Sequence, residues 1–217
     1  MTLDATDNGP KDGPVEIFSH ELPAKQLDPE LRKARDAKVQ IATISLCGCW
    51  GCNLSLLDTD EALVDLLSKV HITRSSFTDI KRIPGRIAVG LIEGGVANDE
   101  NIETLEHFRE HCDILIATGA CAIWGGVPAT RNLHGLEPCL REAYVDSPTR
   151  PAQSPPVVPH HPDIPKLTNK VYPVHEVVKI DVSIPGCPPD GRTMFKVIDD
   201  LLSGRGFSMP ADYNRFD

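Results

Sequence analysis

The chain has 217 residues, of which 41% are hydrophobic, and its 22 basic and 31 acidic side chains give a net charge of −9. This length fits one large domain, or one domain with appendages. The acidic charge argues against nucleic acid as a partner, because such binding depends on neutralising phosphates, and no stretch approaches the ~18 apolar residues of a membrane span.

The apolar pattern predicts strands that alternate with helices. In chain order we predict a helix at 29–37, strand 39–45, one helix over 53–69, strands 70–74 and 86–92, helix 99–111, strands 113–118 and 177–184, and a closing helix at 191–202. Such alternation is typical of an α/β fold with a doubly wound parallel sheet and right-handed crossovers.

Composition divides the chain into an N-terminal extension (1–38), a main domain (39–203) and a C-terminal tail (204–217). Within the domain we predict a proline-rich excursion over 146–170. Seven of the nineteen residues from 147 to 165 are proline. Proline removes a backbone donor and clashes inside a helix, so neither a helix nor a central strand is expected there.

The first thirty residues contain no basic start followed by an apolar segment, so we expect no secretory signal and a cytoplasmic location. The location decides how the seven cysteines are interpreted. Disulfides rarely persist in a reducing compartment, and clustered cysteines there are more often ligands of a metal or cluster.

Four of these cysteines follow predicted strands. Cys49 and Cys52 come just after the first strand, Cys121 after the strand at 113–118, and Cys187 after the last strand. The carboxyl ends of parallel strands lie at one edge of the sheet, where binding sites form. The sequence therefore predicts that these four thiols meet at that edge.

Four thiolates suit either a cubane iron–sulfur cluster or a tetrahedral zinc ion. Gly48, Gly51, Gly119 and Gly186 lie near the predicted ligands, where backbone amides without a Cβ can approach bridging sulfides. Structural zinc more often uses two CxxC pairs, and this chain has one. We favour the cluster and keep zinc as the alternative.

Two further residues lie near the predicted ligands. Cys47 is two residues from Cys49, and so short a loop cannot readily supply both to one cubane, so we place Cys47 beside the cluster or in the core. Glu93 follows the third strand, where it is suited to line a docking face, relay protons or support the cluster. A solvated loop carboxylate and a helix N-cap are the plainer alternatives.

Four segments occur in order along the chain: CGCWGCNLSLLD, VGLIEGGV, GACAIWGGVPA and IPGCPPDG. Together they resemble the small subunits of nickel–iron hydrogenases, above all the small (delta) subunit of the cytoplasmic NAD-reducing type. The similarity covers roughly residues 39–203. It implies a flavodoxin-like domain with one proximal [4Fe–4S] cluster, whose ligands are Cys49, Cys52, Cys121 and Cys187.

The resemblance also implies an electron relay within a hetero-oligomeric oxidoreductase. A large subunit would carry the NiFe site that splits hydrogen, and diaphorase subunits with FMN and iron–sulfur clusters would reduce NAD. This chain would contribute no catalytic residue of its own. A cytoplasmic hydrogenase with another electron acceptor is the alternative, because acceptor specificity belongs to other chains.

Some departures from the wider family narrow the resemblance. No cysteine follows Cys187, as in the short form with one cluster, and the related quinone-reductase subunit has vicinal cysteines where this chain has Cys49-Trp-Gly-Cys52.

A second flavin has been suggested on some members of the family. A flavin phosphate favours a Ser/Thr/Gly-rich loop at a helix N-terminus. Here the loop after strand one carries predicted ligands, so we do not expect FMN on this chain.

Overall fold

The computed structural model describes residues 29–78, 83 and 85–205. Most of the predicted N-terminal extension and nearly all of the predicted tail lie outside the described residues. The division into extension, domain and tail stays a prediction.

The described residues form helices, strands and a few tighter turns. The α-helices are α1 (Pro29–Asp36), α2 (Gly51–Leu57), α3 (Glu61–Lys69), α4 (Asp99–His111), α5 (Gly119–Trp124), α6 (Leu136–Leu140) and α7 (Gly191–Leu202). The strands are β1 (Val39–Ser45), β2 (Val70–Arg74), β3 (Ile87–Glu93), β4 (Val96–Asn98), β5 (Cys112–Thr118), β6 (Leu167–Tyr172) and β7 (Val182–Ile184). Val127–Leu133 and Val174–Glu176 are 3₁₀ helices, and Arg141–Val145 is a π-helical turn.

Five strands form a parallel sheet in the order β2-β1-β3-β5-β7. Strands β4 and β6 pair antiparallel in a separate two-stranded sheet. When the five strands of the parallel sheet are renumbered 1 to 5 in chain order, their order across the sheet is 2-1-3-4-5. This is the flavodoxin-like arrangement. The predicted doubly wound α/β fold is confirmed.

The core lies on both faces of the large sheet. Leu105 and Phe108 of α4 pack on one face with Ile44, and Met194 and Ile198 of α7 pack on the other. Strands that are covered on both faces consist mostly of apolar residues, and β1, β3 and β5 at the centre of the sheet have such sequences. Within the described residues, no helix has both the length and the apolar character needed to cross a bilayer.

The prediction of one helix over 53–69 is wrong, because α2 ends at Leu57 and α3 begins at Glu61. The hydroxyl of Thr59 donates to the carbonyl of Leu56 at 2.8 Å, and Asp60 has a positive φ of 51°. Short polar side chains compete with the backbone for helix hydrogen bonds in this way. The apolar spacing continued across the break and concealed it.

The prediction of a strand over 177–184 is wrong in its first half. Asp181 offers its own carboxylate to the backbone N–H of Leu115 at 2.9 Å, and it binds Arg109 at 2.6 Å. The Asp181 side chain thus accepts a backbone N–H of β5 that a strand carbonyl would otherwise accept. Regular pairing with β5 begins only at Val182.

The proline-rich region behaves partly as expected. Residues 147–165 contain neither helix nor strand, as their prolines predict. The predicted boundary at 170 is too late, however, because β6 begins at Leu167 and pairs with β4. Sequence reasoning missed both of these strands, since each is short and only partly apolar.

Candidate functional site: a cysteine centre at the carboxyl edge of the sheet

Five cysteines lie at the carboxyl edge of the parallel sheet. We call this group the thiol edge; its members are Cys47, Cys49, Cys52, Cys121 and Cys187. The first three follow β1, Cys121 lies in the first turn of α5 directly after β5, and Cys187 follows β7. The backbone N–H of Ala120 donates to the carbonyl of Gly186 at 2.8 Å, which ties the α5 segment to the Cys187 loop.

The thiols are close enough to affect one another's ionisation. Burial raises the pKa of Cys121, the backbone N–H of Val127 lowers it, and the charges of Cys187, Cys49 and Cys47 raise it. The net pKa is raised, so proton loss from Cys121 is unfavourable in the protein alone. A positively charged metal centre would offset this cost, because thiol ligands bind as thiolates.

Cys52 has the more strongly raised pKa. Burial is the main cause, the carboxylate of Glu93 is next, and Cys121 and Cys49 add smaller contributions. Since these last two are also predicted ligands, the electrostatics link all four: Cys52 with Cys121 and Cys49, and Cys121 with Cys187.

The spacing of the thiols bears on the zinc alternative left open by the sequence. A single zinc ion with Zn–S bonds of ~2.3 Å needs sulfurs about 3.8 Å apart. Within the part of the chain that the structure describes, no three cysteine sulfurs lie within 4.8 Å of one another. The described cysteines are therefore not already arranged as a site for one zinc ion.

Two glycines leave room beside the sulfurs. A Cβ on Gly119, where φ is +82°, would lie 2.4 Å from the sulfur of Cys52, and a Cβ on Gly126 would lie 2.8 Å from that of Cys121. Real Cβ atoms do not approach so closely, so both positions require glycine. Gly119 was a sequence candidate, whereas Gly126 was missed, although the Gly-Gly pair after Trp124 was a visible signal.

Glu93 is the last residue of β3 and is 3% exposed. Its carboxylate accepts the hydroxyl of Ser45 at 2.7 Å and the backbone N–H of Asn53, in the first turn of α2, at 3.1 Å. Its own backbone carbonyl accepts the N–H of Leu46 at 2.9 Å. Glu93 therefore fastens both ends of the loop that carries Cys47, Cys49 and Cys52.

This burial corrects two interpretations of Glu93. It is neither a solvated loop carboxylate nor part of an exposed docking face. The carboxylate does bind a backbone N–H at a helix start, but that of α2 rather than of the helix that follows Glu93 in the chain. Its effect on a cluster stays a prediction.

Three buried polar atoms in residues adjacent to the thiol edge, in sequence or in strand register, have no hydrogen-bond partner among the described residues. They are Nε1 of Trp50, Nδ2 of Asn53 and Oγ1 of Thr118. Trp50 and Asn53 flank ligand candidates in sequence, and Thr118 shares a register row with Glu93 and Ser45. Buried donors without partners are costly, and cluster sulfides are acceptors for such groups. The donor set therefore fits an iron–sulfur cluster.

Apolar side chains surround the thiol edge at the surface. Leu54, Trp124 and Val127 are 49%, 47% and 71% exposed, and Cys49 and Cys187 are exposed as well. Elsewhere, Cys112 is buried and Cys139 is half-buried. Cys112 is therefore a core residue, whereas Cys139 is only partly covered.

The family follows from comparison with known proteins. The family model described as "NADH ubiquinone oxidoreductase, 20 Kd subunit" matches residues 49–201. The chain belongs to this family. The match includes all four predicted ligands and the strands that precede the last two of them.

Individual relatives narrow the relationship to hydrogenase subunits. The chain is 63% identical over 202 residues to the NAD-reducing hydrogenase HoxS subunit delta of Cupriavidus necator, covering 93% of this chain and 97% of that protein. It is 38% identical to a subunit of the F420-non-reducing hydrogenase of Methanothermobacter marburgensis. That match covers 80% of this chain but only 56% of the relative, so the chain spans about half the length of that protein.

A solved structure agrees. The crystal structure of an NAD⁺-reducing [NiFe]-hydrogenase in the H₂-reduced state contains a chain that matches with a TM-score of 0.79 and 42% identity, covering 83% of this chain and 99% of that one. The predicted resemblance to the small subunit of NAD-reducing nickel–iron hydrogenases is confirmed.

Proposed function

We propose that this chain is the electron-transfer small subunit of a cytoplasmic NAD-reducing [NiFe]-hydrogenase and that Cys49, Cys52, Cys121 and Cys187 hold one [4Fe–4S] cluster. The observation that carries the proposal is the convergence of four cysteines at one edge of the sheet in a chain so similar to a hydrogenase delta subunit. When bound, such a cluster accepts and passes on single electrons.

The chain's own residues have three tasks in this proposal. The thiolates bind the cluster, and Gly119 and Gly126 keep Cβ atoms away from the ligand sulfurs. Glu93 fixes the loop that supplies two ligands. The buried N–H and O–H groups of Asn53 and Thr118 are available to donate to sulfides, which raises a cluster's reduction potential.

The exposed apolar side chains around the thiol edge support a partner at this face. Leu54, Trp124 and Val127 would be buried against a large subunit that holds the NiFe site. Aromatic and aliphatic groups of this kind are typical of the buried centre of an interface. Coverage by the partner would also exclude water from the exposed Cys49 and Cys187. Diaphorase subunits with FMN and iron–sulfur clusters would then carry the electrons to NAD.

The alternative is that this chain belongs to a hydrogenase complex with a different electron acceptor. The 38% identity to a subunit of an F420-non-reducing hydrogenase shows that related subunits occur in hydrogenases whose names do not specify NAD as the acceptor. The thiol edge is equally suited to either complex, because the acceptor site would belong to other subunits.

The test begins with the complex purified without oxygen together with its partners. We expect iron and acid-labile sulfide sufficient for a four-iron cluster on this chain, and nickel in a larger partner. One zinc per chain with no labile sulfide would contradict the cluster proposal. Reduction of NAD by hydrogen in the same preparation tests the acceptor separately, since a cluster without NAD reduction would favour the alternative complex.

A further inference from the structure

The last turn of α4 carries a second group of metal-binding side chains, which the hydrogenase proposal does not use. His107, Glu110 and His111 each place one ligand atom within 4.8 Å of the other two. We call them the α4 triad. Residues three and four apart lie on the same face of a helix, which explains why they meet. Within the described residues, no other set of three His, Cys, Asp or Glu side chains is spaced so closely.

The two imidazoles already converge. Their ring centroids are 4.3 Å apart with an angle of 52° between the planes. Two exposed histidines one helical turn apart have rotamers that would separate them, so this arrangement brings their ring nitrogens together before any ion binds. Less conformational entropy is then lost on binding.

The tautomer of His111 is fixed by a hydrogen bond. Its Nδ1 lies 2.8 Å from the backbone carbonyl of His107. A carbonyl oxygen only accepts, so Nδ1 carries the hydrogen and Nε2 keeps its lone pair for a ligand. Histidines that bind metals usually donate their other ring N–H to a carbonyl or carboxylate in this way. The contact leaves Nε2 of the neutral imidazole as the ring nitrogen that can bind a metal.

The charge of α4 favours a cation. The helix carries acidic side chains at Asp99, Glu100, Glu103, Glu106 and Glu110. Its one arginine, Arg109, is paired with Asp181 rather than directed at the triad. His107 and Glu110 are exposed and His111 is half-buried, so an ion from solvent can reach all three.

The triad lies far from the thiol edge. His111 directly precedes Cys112, the first residue of β5, whereas Cys121 follows the other end of that strand. A strand of this length spans about 20 Å. An ion at the triad would therefore not compete for the cysteine ligands.

We propose that the α4 triad binds one divalent transition-metal ion, with Zn²⁺ as the best chemical match. Two imidazole nitrogens and one carboxylate oxygen are a common zinc ligand set, with water in the fourth position. A bound ion would cross-link three side chains of the last turn of α4. Because it binds only the folded chain, it would stabilise the fold by mass action. The sequence pattern His-Phe-Arg-Glu-His was visible from the start, but nothing in it showed that the rings converge.

The test is zinc binding by equilibrium dialysis on the anaerobically purified complex. The chain offers a matched control, because His160 and His161 form an exposed histidine pair in the proline-rich region. We expect the wild type and the His160→Ala/His161→Ala variant to bind one Zn²⁺ per chain that the His107→Ala/His111→Ala variant does not bind. Glu110→Gln should weaken this binding about tenfold.

A second measurement guards against misfolding. Zinc should raise the unfolding temperature of the wild type and of the His160→Ala/His161→Ala control, but not that of the His107→Ala/His111→Ala variant, whose midpoint without zinc should match the wild type. Equal zinc stoichiometry and affinity in the wild type and the triad variant would overturn the proposal. So would an equal zinc-induced rise in unfolding temperature in both.

Discussion

The two edges of the parallel sheet differ in how their polar groups are satisfied. At the amino edge, near the start of β5, Arg109 binds Asp181 and donates to the backbone carbonyls of Cys112, Asp113 and Lys179. At the thiol edge, cysteines are exposed or half-buried, and three buried donors have no partner among the described residues.

The difference shows which edge depends on something besides this chain. Leaving a buried donor unpaired costs about 1–3 kcal/mol, so a bound group that accepts from these donors would stabilise the thiol edge. At the amino edge, the hydrogen-bond partners are other residues of this chain. The thiol edge is suited to a cluster and a partner subunit that supply the missing contacts.

The strongest test of this contrast is the substitution Cys121→Ser, which removes a predicted ligand from the thiol edge. We expect loss or conversion of the cluster and loss of hydrogen-driven reduction by the complex, because a serine oxygen is a poor replacement for a thiolate ligand. Iron, labile sulfide and visible absorption measure the first effect. Cys139→Ser is the control and should change neither. A four-iron cluster and full activity in Cys121→Ser would remove Cys121 from the ligand set.

Glycine substitutions sharpen the comparison between cluster loss and simple destabilisation. Gly119→Ala places a methyl group 2.4 Å from the sulfur of Cys52 at a φ of +82°. We expect the complex to form with little or no cluster, measured as iron per chain. Full iron content in this variant would show that the Cys52 sulfur moves freely and that Gly119 is not needed beside it.

Gly90→Ala is the matched change inside the sheet. Its Cβ would lie 2.6 Å from both Cys112 and Phe108, so overpacking should cost about 1–3 kcal/mol and lower the unfolding temperature, while the folded protein keeps its iron. Gly85→Ala meets nothing within 4 Å and should change stability by less than about 0.5 kcal/mol.

At the amino edge, Arg109→Ala should lower stability by about 2–3 kcal/mol, because it leaves Asp181 and several carbonyls without their donor. Burial raises the pKa of Asp181, but the Arg109 guanidinium and the Leu115 N–H outweigh it and hold that pKa below its usual value. A lowered folded pKa gives stability that is present above the unfolded pKa of ~3.9 and is lost as the pH falls further.

Unfolding temperatures measured at several pH values test this assignment. The wild type should lose stability as the pH drops below about 4, and Asp181→Asn should be less stable at neutral pH with a flatter profile in that window. Lys179→Ala, whose exposed ammonium lies 3.9 Å from Asp181, should have almost no effect. An unchanged acid profile in Asp181→Asn would show that the amino edge is not held by this ion pair.

The substitution Glu93→Gln should leave the fold and the iron content unchanged and alter only the reduction potential. Glutamine keeps one oxygen to accept the backbone N–H of Asn53, and its amide nitrogen can donate to the hydroxyl oxygen of Ser45, so the loop should hold and the iron content should stay normal. Removing a negative charge beside Cys52 favours the reduced cluster, and its potential should rise by on the order of 50–100 mV. Potentiometric titration measures this shift. An unchanged potential, with normal iron, would limit Glu93 to holding the loop.

Much of the scaffold could be predicted because it depends on local patterns. β1, β2, α4 and α7 have their predicted bounds, since apolar spacing, acidic helix starts and turn residues are encoded within each segment. The placement of cysteines after strands was visible for the same reason, as was the α/β class.

Only the tertiary structure decided the features that depend on residues far apart in sequence. The carboxylate of Asp181 binds the backbone N–H of Leu115 where β7 begins, and β6 pairs with β4. Glu93 is buried because Ser45 and Asn53 close around it, which no pattern near residue 93 reveals. The sequence by itself determined which segments are strands and helices and which cysteines follow the strands, because these depend on neighbouring residues. Which side chains pair across the fold is decided by packing between distant segments.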